Sequence, residues 1–589
     1  MLHIFKRIYF HLDFRRRLQF LILFFLMIFG AICEISTLGA VLPFLSILTS
    51  PEQIFENEFL KKIINSYHIT NSKDLLLPIS LIFSFTVVIS GLMRLILLWF
   101  QTRLCYSVGA DLSFSIYKRT LFQKYSVHIS RNSSEVISGI SNKSNSIIYA
   151  ALIPIISTLT SSLILIVMLG ALIYINPQIT LLSVFGFVFI YIIIIGFSKK
   201  KLSYYSELSS VKSNQVVKAI QEGLGGIRDV LIDGTQNTYC DIYKNADVPL
   251  RRAQANIIII GGSPRYGVEA LGILLMVLLA YSLASRIGGI GTAVPILGAF
   301  AMGAQRMLPI LQLIYSNWTT IKSNEVFLKD TLDLLDQPLP EYSNDSFRYS
   351  MPFIDKISFN QVSFRYSSSS PFVLKKINIE INKGEVIGFM GTTGSGKSTL
   401  LDILMGLMPP SIGELKIDGV KINDNNCRSW QTHIAHVPQA IFLSDTTIAE
   451  NIAFGVPYNK IDMKRVIEVS QKAQIAELIE NMDQKYLTFV GERGIRLSGG
   501  QRQRIGIARA LYKKADVIVF DEATSALDNE TEKEVMNSIY QLGEVGELTI
   551  FIVAHRLTTL KNCNKIFELS RGKIMRTGSY HELVENLVN

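Results

Sequence analysis

Apolar and polar positions are distributed very differently in the two parts of this 589-residue chain. Up to about residue 320, runs of Leu, Ile, Phe, Val and Ser exceed what a soluble core helix needs. Beyond about residue 353, short apolar runs alternate with charged turns. Six stretches, near 18–46, 75–100, 148–175, 179–198, 256–285 and 291–320, reach the roughly 20 apolar residues that crossing a hydrocarbon layer requires. The run from Leu18 to Leu48 is longer than the core of a secretory signal and has no convincing cleavage site, so it reads as a retained first span.

Two segments between spans, 101–147 and 199–255, are longer than turns need to be and read as helices that leave the membrane. Residues 50–67 carry Ile54, Phe55, Phe59, Leu60, Ile63, Ile64 and Tyr67 at three-to-four spacing behind a Ser50-Pro51 start signal, which predicts an amphipathic helix lying on the outer surface. A Pro- and Ser-containing connection over 325–352 separates a membrane domain, 1–324, from a soluble domain, 353–589.

The net charge of +10 refines this topology. The segment 101–147 carries six Lys/Arg against two acids and 199–255 carries nine Lys/Arg, while the turns at 176–178 and 286–290 carry at most one. With Lys6, Arg7, Arg15, Arg16 and Arg17 before the first span and Lys199, Lys200 and Lys201 after the fourth, the pattern places the N-terminus and the soluble domain inside. It argues against a nucleic-acid partner. The five cysteines, Cys33, Cys105, Cys240, Cys427 and Cys563, have no metal-like spacing and predict no structural disulfide.

Candidate chemistry lies in the soluble part. Val386–Met390 reads as a buried strand, Gly391-Thr392-Thr393-Gly394-Ser395-Gly396-Lys397-Ser398 as a phosphate-binding loop, and Thr399 onward as a helix. Backbone N–H groups and the helix N-terminus suit phosphate, Lys397 can reach the β and γ phosphates, and Ser398 offers a hydroxyl to Mg²⁺. A second strand, Val517–Phe520, ends in Asp521 and Glu522, and Glu522 is positioned to be a general base. Leu497-Ser498-Gly499-Gly500-Gln501 precedes a helical pattern and forms a second anion site.

Together these motifs resemble the ABC transporter family, and the order of spans and soluble domain resembles its exporter-type half-transporters. The resemblance implies an all-α six-helix transmembrane domain followed by a P-loop α/β nucleotide-binding domain with a helical signature subdomain. ATP and Mg²⁺ are the implied cofactors. Asp521 matches the aspartate that orients Mg²⁺, Gln439 the Q-loop glutamine that touches it, Tyr366 the ring that stacks on adenine, and His555 the switch histidine. Asp528 completes the D-loop wording, and Glu492 matches the loop that reports to coupling helices, for which about 126–134 and 223–234 are the candidates. Because Ser498, Gly499, Gly500 and Gln501 of one domain close over ATP held by another in this family, the resemblance implies a homodimer.

For the cargo, Ser263-Pro264-Arg265-Tyr266 with Glu269, Gln305-Arg306-Met307-Leu308-Pro309, and the outer amphipathic segment resemble lipid-linked oligosaccharide flippases and polysaccharide exporters of the PglK type. Arg306 lies about 22 Å into its span, where a charge needs a cavity or a partner. Arg94, Arg265 and Arg306 are therefore the candidate substrate residues for an anionic glycolipid. Arg265 and Glu269 are also spaced to neutralise each other on one helix, and Arg94 could snorkel. Glu34 has no assigned role. A lipid or multidrug exporter shares the same engine. A peptide exporter fits less well, because no protease domain precedes the first span, and six spans disfavour a soluble ATPase. The expected location is the cytoplasmic membrane of a bacterial-type cell.

Overall fold

The computed structural model describes residues 2–49, 76–131, 140, 144–175, 177–284, 289–340, 343, 351–523, 528–544, 548–554 and 556–583. The amphipathic segment expected at 50–67 lies outside these residues. The chain divides into two compact units, one of 1–123 with 131–339, the other of 124–130 with 340–589.

The first unit is helical. α1 (Leu2–Phe10), α2 (Phe14–Thr49) and α3 (Leu76–Leu121) are followed by α4 (Tyr125–Ser130), which groups with the second unit. A π-helical turn at Ile147–Leu152 leads into α5 (Ile153–Ile175), and α6 (Pro177–Gly225), α7 (Ile227–Ile232), α8 (Gln236–Gly262), α9 (Pro264–Ala284), α10 (Gly289–Ser323) and α11 (Glu325–Leu335) complete it. Among the described residues, four stretches are long and apolar enough to cross a membrane: Phe14–Leu45, Leu76–Leu121, Ile147–Tyr174 and Gln236–Leu274. The stretches expected at 179–198 and 291–320 are helical parts of α6 and α10. A turn at Ser263 interrupts the span expected at 256–285, because Pro264 has no N–H to give to the preceding turn.

The 46 residues of α3 extend about 69 Å at the α-helical rise, more than twice a hydrocarbon layer. Its C-terminal part adds charged residues, Arg103, Asp111, Lys118 and Arg119, around an apolar stripe of Leu104, Val108, Leu112 and Ile116 that stays buried. The core joins α2, α3 and α5 to α11 through Leu23, Met27, Leu97, Val108, Leu112, Ile116, Ile156, Leu328 and Leu332. An ionic clasp fastens α1 to α11. Arg7 donates from Nη2 to Asp333 Oδ1 at 2.8 Å and from Nε to Asp336 Oδ2 at 3.1 Å, and His11 Nε2 meets Asp336 Oδ1 at 2.7 Å.

The second unit has two sheets. β1 (Lys356–Phe364), β2 (Leu374–Asn382), β4 (Ile412–Ile417) and β5 (Val420–Lys421) form an antiparallel sheet in the order β2-β1-β4-β5. The other sheet follows the order β10-β9-β3-β8-β7-β6, from β3 (Val386–Met390), β6 (Ile434–Val437), β7 (Val517–Asp521), β8 (Thr549–Val553), β9 (Lys565–Ser570) and β10 (Lys573–Gly578). All of its pairings are parallel except β9 with β10. Its inner strands are almost entirely apolar, as strands covered on both faces must be. α12 (Lys397–Leu404) follows β3, α13 (Cys427–Thr432) precedes β6, α14 (Ile448–Ile452), α15 (Met463–Lys472) and α16 (Ala476–Glu480) form a helical layer, and α17 (Gly499–Tyr512) packs on α15. α18 (Asn529–Glu544) and α19 (Tyr580–Leu583) complete the unit. All five cysteines are free thiols.

The two-residue turn between β4 and β5 starts the antiparallel sheet correctly. Asp418 and Gly419 both have positive φ, 48° and 79°, as a tight hairpin that follows the strand twist requires. The Asp418 carboxylate then accepts from the backbone N–H groups of Ile354, Asp355 and Lys356 at 2.6, 2.9 and 2.7 Å. Burial opposes its ionisation, but those three donors prevail and hold its pKa below the ordinary aspartate value. A lowered folded-state pKa stabilises above the unfolded value and is lost as pH falls through the folded one. Asp418→Asn is expected to cost about 1 kcal/mol at neutral pH, read as a lower melting temperature of the soluble unit in the intact protein. The gap between parent and variant should close below about pH 4; a gap independent of pH would rule out the carboxylate's charge as the cause.

Candidate nucleotide site

Parallel strands end together, so the residues that follow β3, β6 and β7 gather at one sheet edge, where α/β folds place ligands. Register fixes this alignment: Val437 pairs with Phe520, Asp521 with Val553, and Phe389 with Val553. The loop 391–398 leaves β3, Gln439 follows β6, and Asp521 and Glu522 close β7. His555, expected beyond β8, and Thr524–Leu527 of the expected D-loop lie outside the described residues.

At the loop, Gly391 has φ of 149°, and a side chain there would collide with the Leu569 carbonyl oxygen. The Ser395 hydroxyl is buried with no hydrogen-bond partner. A buried polar atom without a partner is costly, and a phosphate oxygen would satisfy it. Lys397, 6% exposed, folds back so that Nζ donates to the carbonyls of Gly391 at 2.8 Å and Thr392 at 3.1 Å. Those are weak substitutes for an anion. The residues therefore fit a polyphosphate, with Gly394, Gly396, Ser398 and Thr399 completing the turn and first helical residues.

Tyr366, two residues beyond β1, is exposed and stands edge-on to Phe364 with ring centroids 5.1 Å apart. Its hydroxyl meets Thr399 Oγ1 at 3.0 Å, which ties the expected adenine-stacking ring to the start of α12. A cavity of about 450 Å³ opens beside it, lined also by Ser126, Ile129 and Ser130 of α4. Lys124, just before α4, bonds Asp424 Oδ2 at 2.6 Å. The first expected coupling segment, 126–134, is thus helical to Ser130, and residues 132–134 lie outside the described set. In the second, 223–234, Gly225 ends α6 and α7 follows.

Asp521, one of the expected magnesium ligands with Ser398 and Gln439, is coupled by charge to two further carboxyls, Glu522 and Asp402. Burial, then the charge of Glu522, raises the pKa of Asp521, with Lys397 opposing. Burial, then Asp521, pushes Asp402 up to about 6. Asp402 was not singled out from the sequence, though an acid one turn into a phosphate-binding helix is itself a signal. Glu522 sits at φ 52°, a conformation that non-glycine residues adopt at a cost, and its N–H donates to Val553 O at 3.0 Å. Gln439 Nε2 donates to Glu522 Oε2 at 2.7 Å. The expected base and the expected metal-sensing amide are therefore in contact.

Ser498 caps α17 in a reciprocal box: Gln501 N–H donates to Ser498 Oγ at 3.2 Å and Ser498 N–H to Gln501 Oε1 at 2.8 Å. Ser498 is exposed, and Gly499 and Gly500 carry no side chains over the helix N-terminus. Asp528 accepts from Thr531 N–H at 2.9 Å and from its hydroxyl at 2.8 Å, which starts α18 and, led by the backbone bond, lowers the Asp528 pKa. Glu492 is exposed in a short 3₁₀ turn, Glu492–Gly494. Missed from the sequence was the fully buried Asn451, whose amide bonds Ser444, Thr446 and Thr447 while Arg509 of α17 donates to its carbonyl at 2.8 Å. This network joins the segment after Gln439 to the helix that Ser498 caps.

In the membrane unit, the candidate arginines separate. Arg306 donates from Nη1 to Glu34 Oε2 at 2.7 Å and to Thr37 Oγ1, and Arg94 donates from Nε to Glu34 Oε1, which also accepts from Ser90 at 3.0 Å. Glu34, without a role in the sequence reading, is the hub. Arg265 stands apart, 3.9 Å from Glu269 on its own helix, with both side chains exposed.

Comparisons agree with this architecture. The family profile described as "ABC transporter" matches residues 374–525, and "ABC transporter transmembrane region" matches 19–302. Proteins described as leukotoxin translocation ATP-binding protein LktB, from Mannheimia glucosida, Mannheimia haemolytica and Bibersteinia trehalosi, are each 37% identical over 286 residues, 48% of this chain and 39% of theirs. The match thus spans about two fifths of the length of these relatives. A bacterial Atm1-family ABC exporter solved with ATP bound is similar in fold, with a TM-score of 0.78 and 22% identity, covering 97% of this chain and 96% of that one.

Glu522→Gln is expected to retain ATP binding while lowering hydrolysis by about 10²-fold or more. Equilibrium nucleotide binding and steady-state phosphate release of the purified protein check this. A release rate near that of the parent would remove Glu522 from the base role.

Proposed function

The chain belongs to the ABC transporter family, joining its membrane region to its nucleotide-binding domain, and on that premise we propose that two copies form an ATP-driven exporter that flips an anionic, lipid-linked glycan outward. Each nucleotide is sandwiched between the loop 391–398 of one copy and Ser498 of the other. The exposed, glycine-flanked N-terminus of α17 supports this, because its free backbone donors suit the γ-phosphate of a neighbour's ATP. The orientation that goes with it puts the soluble unit and the N-terminus in the cytoplasm of a bacterial-type cell.

Within each site, Lys397 exchanges its two carbonyl partners for phosphate oxygens, and Tyr366 carries the adenine. Ser398, Gln439 and Asp521 would hold Mg²⁺, which would supply charge neutralisation at the phosphates. Glu522, which the Gln439 amide holds by a hydrogen bond, accepts a proton from the attacking water. His555 contacts the γ-phosphate, and Asp528 faces the partner. Closure brings the two soluble units together, and hydrolysis parts them.

The glycan reading rests on one observation, the pair Arg94 and Arg306 gathered inside the membrane unit on a single acid. Two guanidinium groups and one carboxylate leave one positive charge where hydrocarbon surrounds the bundle. Such a site is costly without a function and suits a phosphate-bearing headgroup. A second reading, export of a polypeptide, draws support from the leukotoxin translocation proteins that share 37% identity over part of the chain.

Stimulation of ATP hydrolysis in nanodiscs separates the readings. A polyprenyl diphosphate oligosaccharide is expected to raise turnover several-fold, while unfolded polypeptides and hydrophobic amines leave it near basal. Stimulation by polypeptide alone would replace the glycan reading with protein export.

A further inference from the structure

Glu34 is 2% exposed, yet it sits among apolar neighbours on α2 and binds side chains from α3 and α10. An isolated carboxylate there would be very costly. Both of its oxygens are occupied: Oε1 by Arg94 and Ser90, Oε2 by Arg306. The two cations are not equivalent. The Arg306 side chain is 22% exposed and shares its Nη1 with Thr37. The Arg94 side chain is 55% exposed on the single chain and contacts Glu34 through Nε, so the outer edge of its guanidinium has no acceptor among the described residues.

From this arrangement we infer that Glu34 is a resident competing anion: it holds Arg94 and Arg306 when no cargo is present, yields them to a cargo phosphate, and reclaims them to expel it. The inference rests on the anionic-cargo reading above and adds the element that makes release possible. Two guanidinium groups fixed within the helical unit, shielded from water, would hold a diphosphate too tightly to turn over, since close charge pairs of this kind couple strongly. A carboxylate already bonded to both offsets that attraction. Glu34 is thus a positioning residue, acting through Arg94 and Arg306 without touching cargo. Each Arg–carboxylate bond that breaks is replaced by an Arg–phosphate bond and no proton moves; Glu34 then keeps only the Ser90 hydroxyl, and its unmet charge is what draws the arginines back.

The competing anion gives a sign that a structural role does not. Glu34→Gln keeps the size of the side chain and its acceptor oxygen but removes the charge. In the full-length protein in nanodiscs, it should bind polyprenyl diphosphate at least tenfold more tightly than the parent, with affinity for the uncharged polyprenol unchanged. In the substrate-stimulated ATPase assay, KM and kcat should fall together, while Glu34→Asp keeps both near parental values. Weaker or unchanged binding of the diphosphate by a folded Glu34→Gln protein would overturn the inference. Should that variant not fold, because two arginines then face each other, Arg94→Gln and the double variant Glu34→Gln/Arg94→Gln test the same point with less repulsion. The double variant should bind the diphosphate more tightly than Arg94→Gln alone, and equal affinities would count against Glu34 as a competitor. If the charge-dependent binding shift is found but no glycan lipid stimulates the parent, the cargo reading fails while the role of Glu34 stands.

Discussion

The parallel register of four strands is the constraint on which the soluble unit depends. Hydrogen bonds between β3, β8, β7 and β6 bring the carboxyl ends of those strands level, so the loop 391–398, Gln439 and the pair Asp521-Glu522 leave the sheet at one edge. A shift of one residue would turn the buried side chains of a strand to the opposite face. The near-continuous apolar sequences Val386–Met390, Val517–Phe520 and Thr549–Val553 prevent that by filling cores on both sides of the sheet. Alignment at the edge then forces proximity of like charges. The strand end sets Asp521 beside Glu522, and Asp402 on α12 adds a third carboxyl whose pKa burial and Asp521 together raise.

Several of the groups at that edge rest against another part of the chain. Lys397 is satisfied by loop carbonyls, Glu522 by Gln439, Tyr366 by Thr399 and Ser498 by Gln501. The Ser395 hydroxyl, by contrast, is buried and unmatched. Such pairings keep a charged or strained site intact between turnovers, at the expense of having to break them when nucleotide arrives. The membrane unit follows the same logic with stronger charges and less water, since Glu34 satisfies two arginines that hydrocarbon would otherwise reject.

Much of this was legible along the chain, because phosphate chemistry concentrates its residues into contiguous words. The loop 391–398, the pair Asp521-Glu522 and the run Leu497–Gln501 each sit on one turn or one strand end, so local spacing reveals them. What local spacing does not reveal is the partner. Glu34 and Arg306 are separated by 272 positions, and nothing near either residue names the other. Asp402 feels the charge of Asp521 across a core that gathers α12 and β7, and Asn451 gains its importance from Arg509 on a different helix. The interruption at Ser263-Pro264 could be read from the proline itself, whereas the π-helical turn at Ile147–Leu152 had no such marker.

The clasp between α1 and α11 carries one more consequence. Arg7 and Asp333 are 326 positions apart, so their union closes a ring around the whole helical unit. By loop-closure scaling, drawing two such distant points together costs on the order of 5 kcal/mol of chain entropy, unless intervening helices have already packed. Such a contact costs least once the intervening helices have packed, so the clasp fastens a bundle that other contacts have already drawn together.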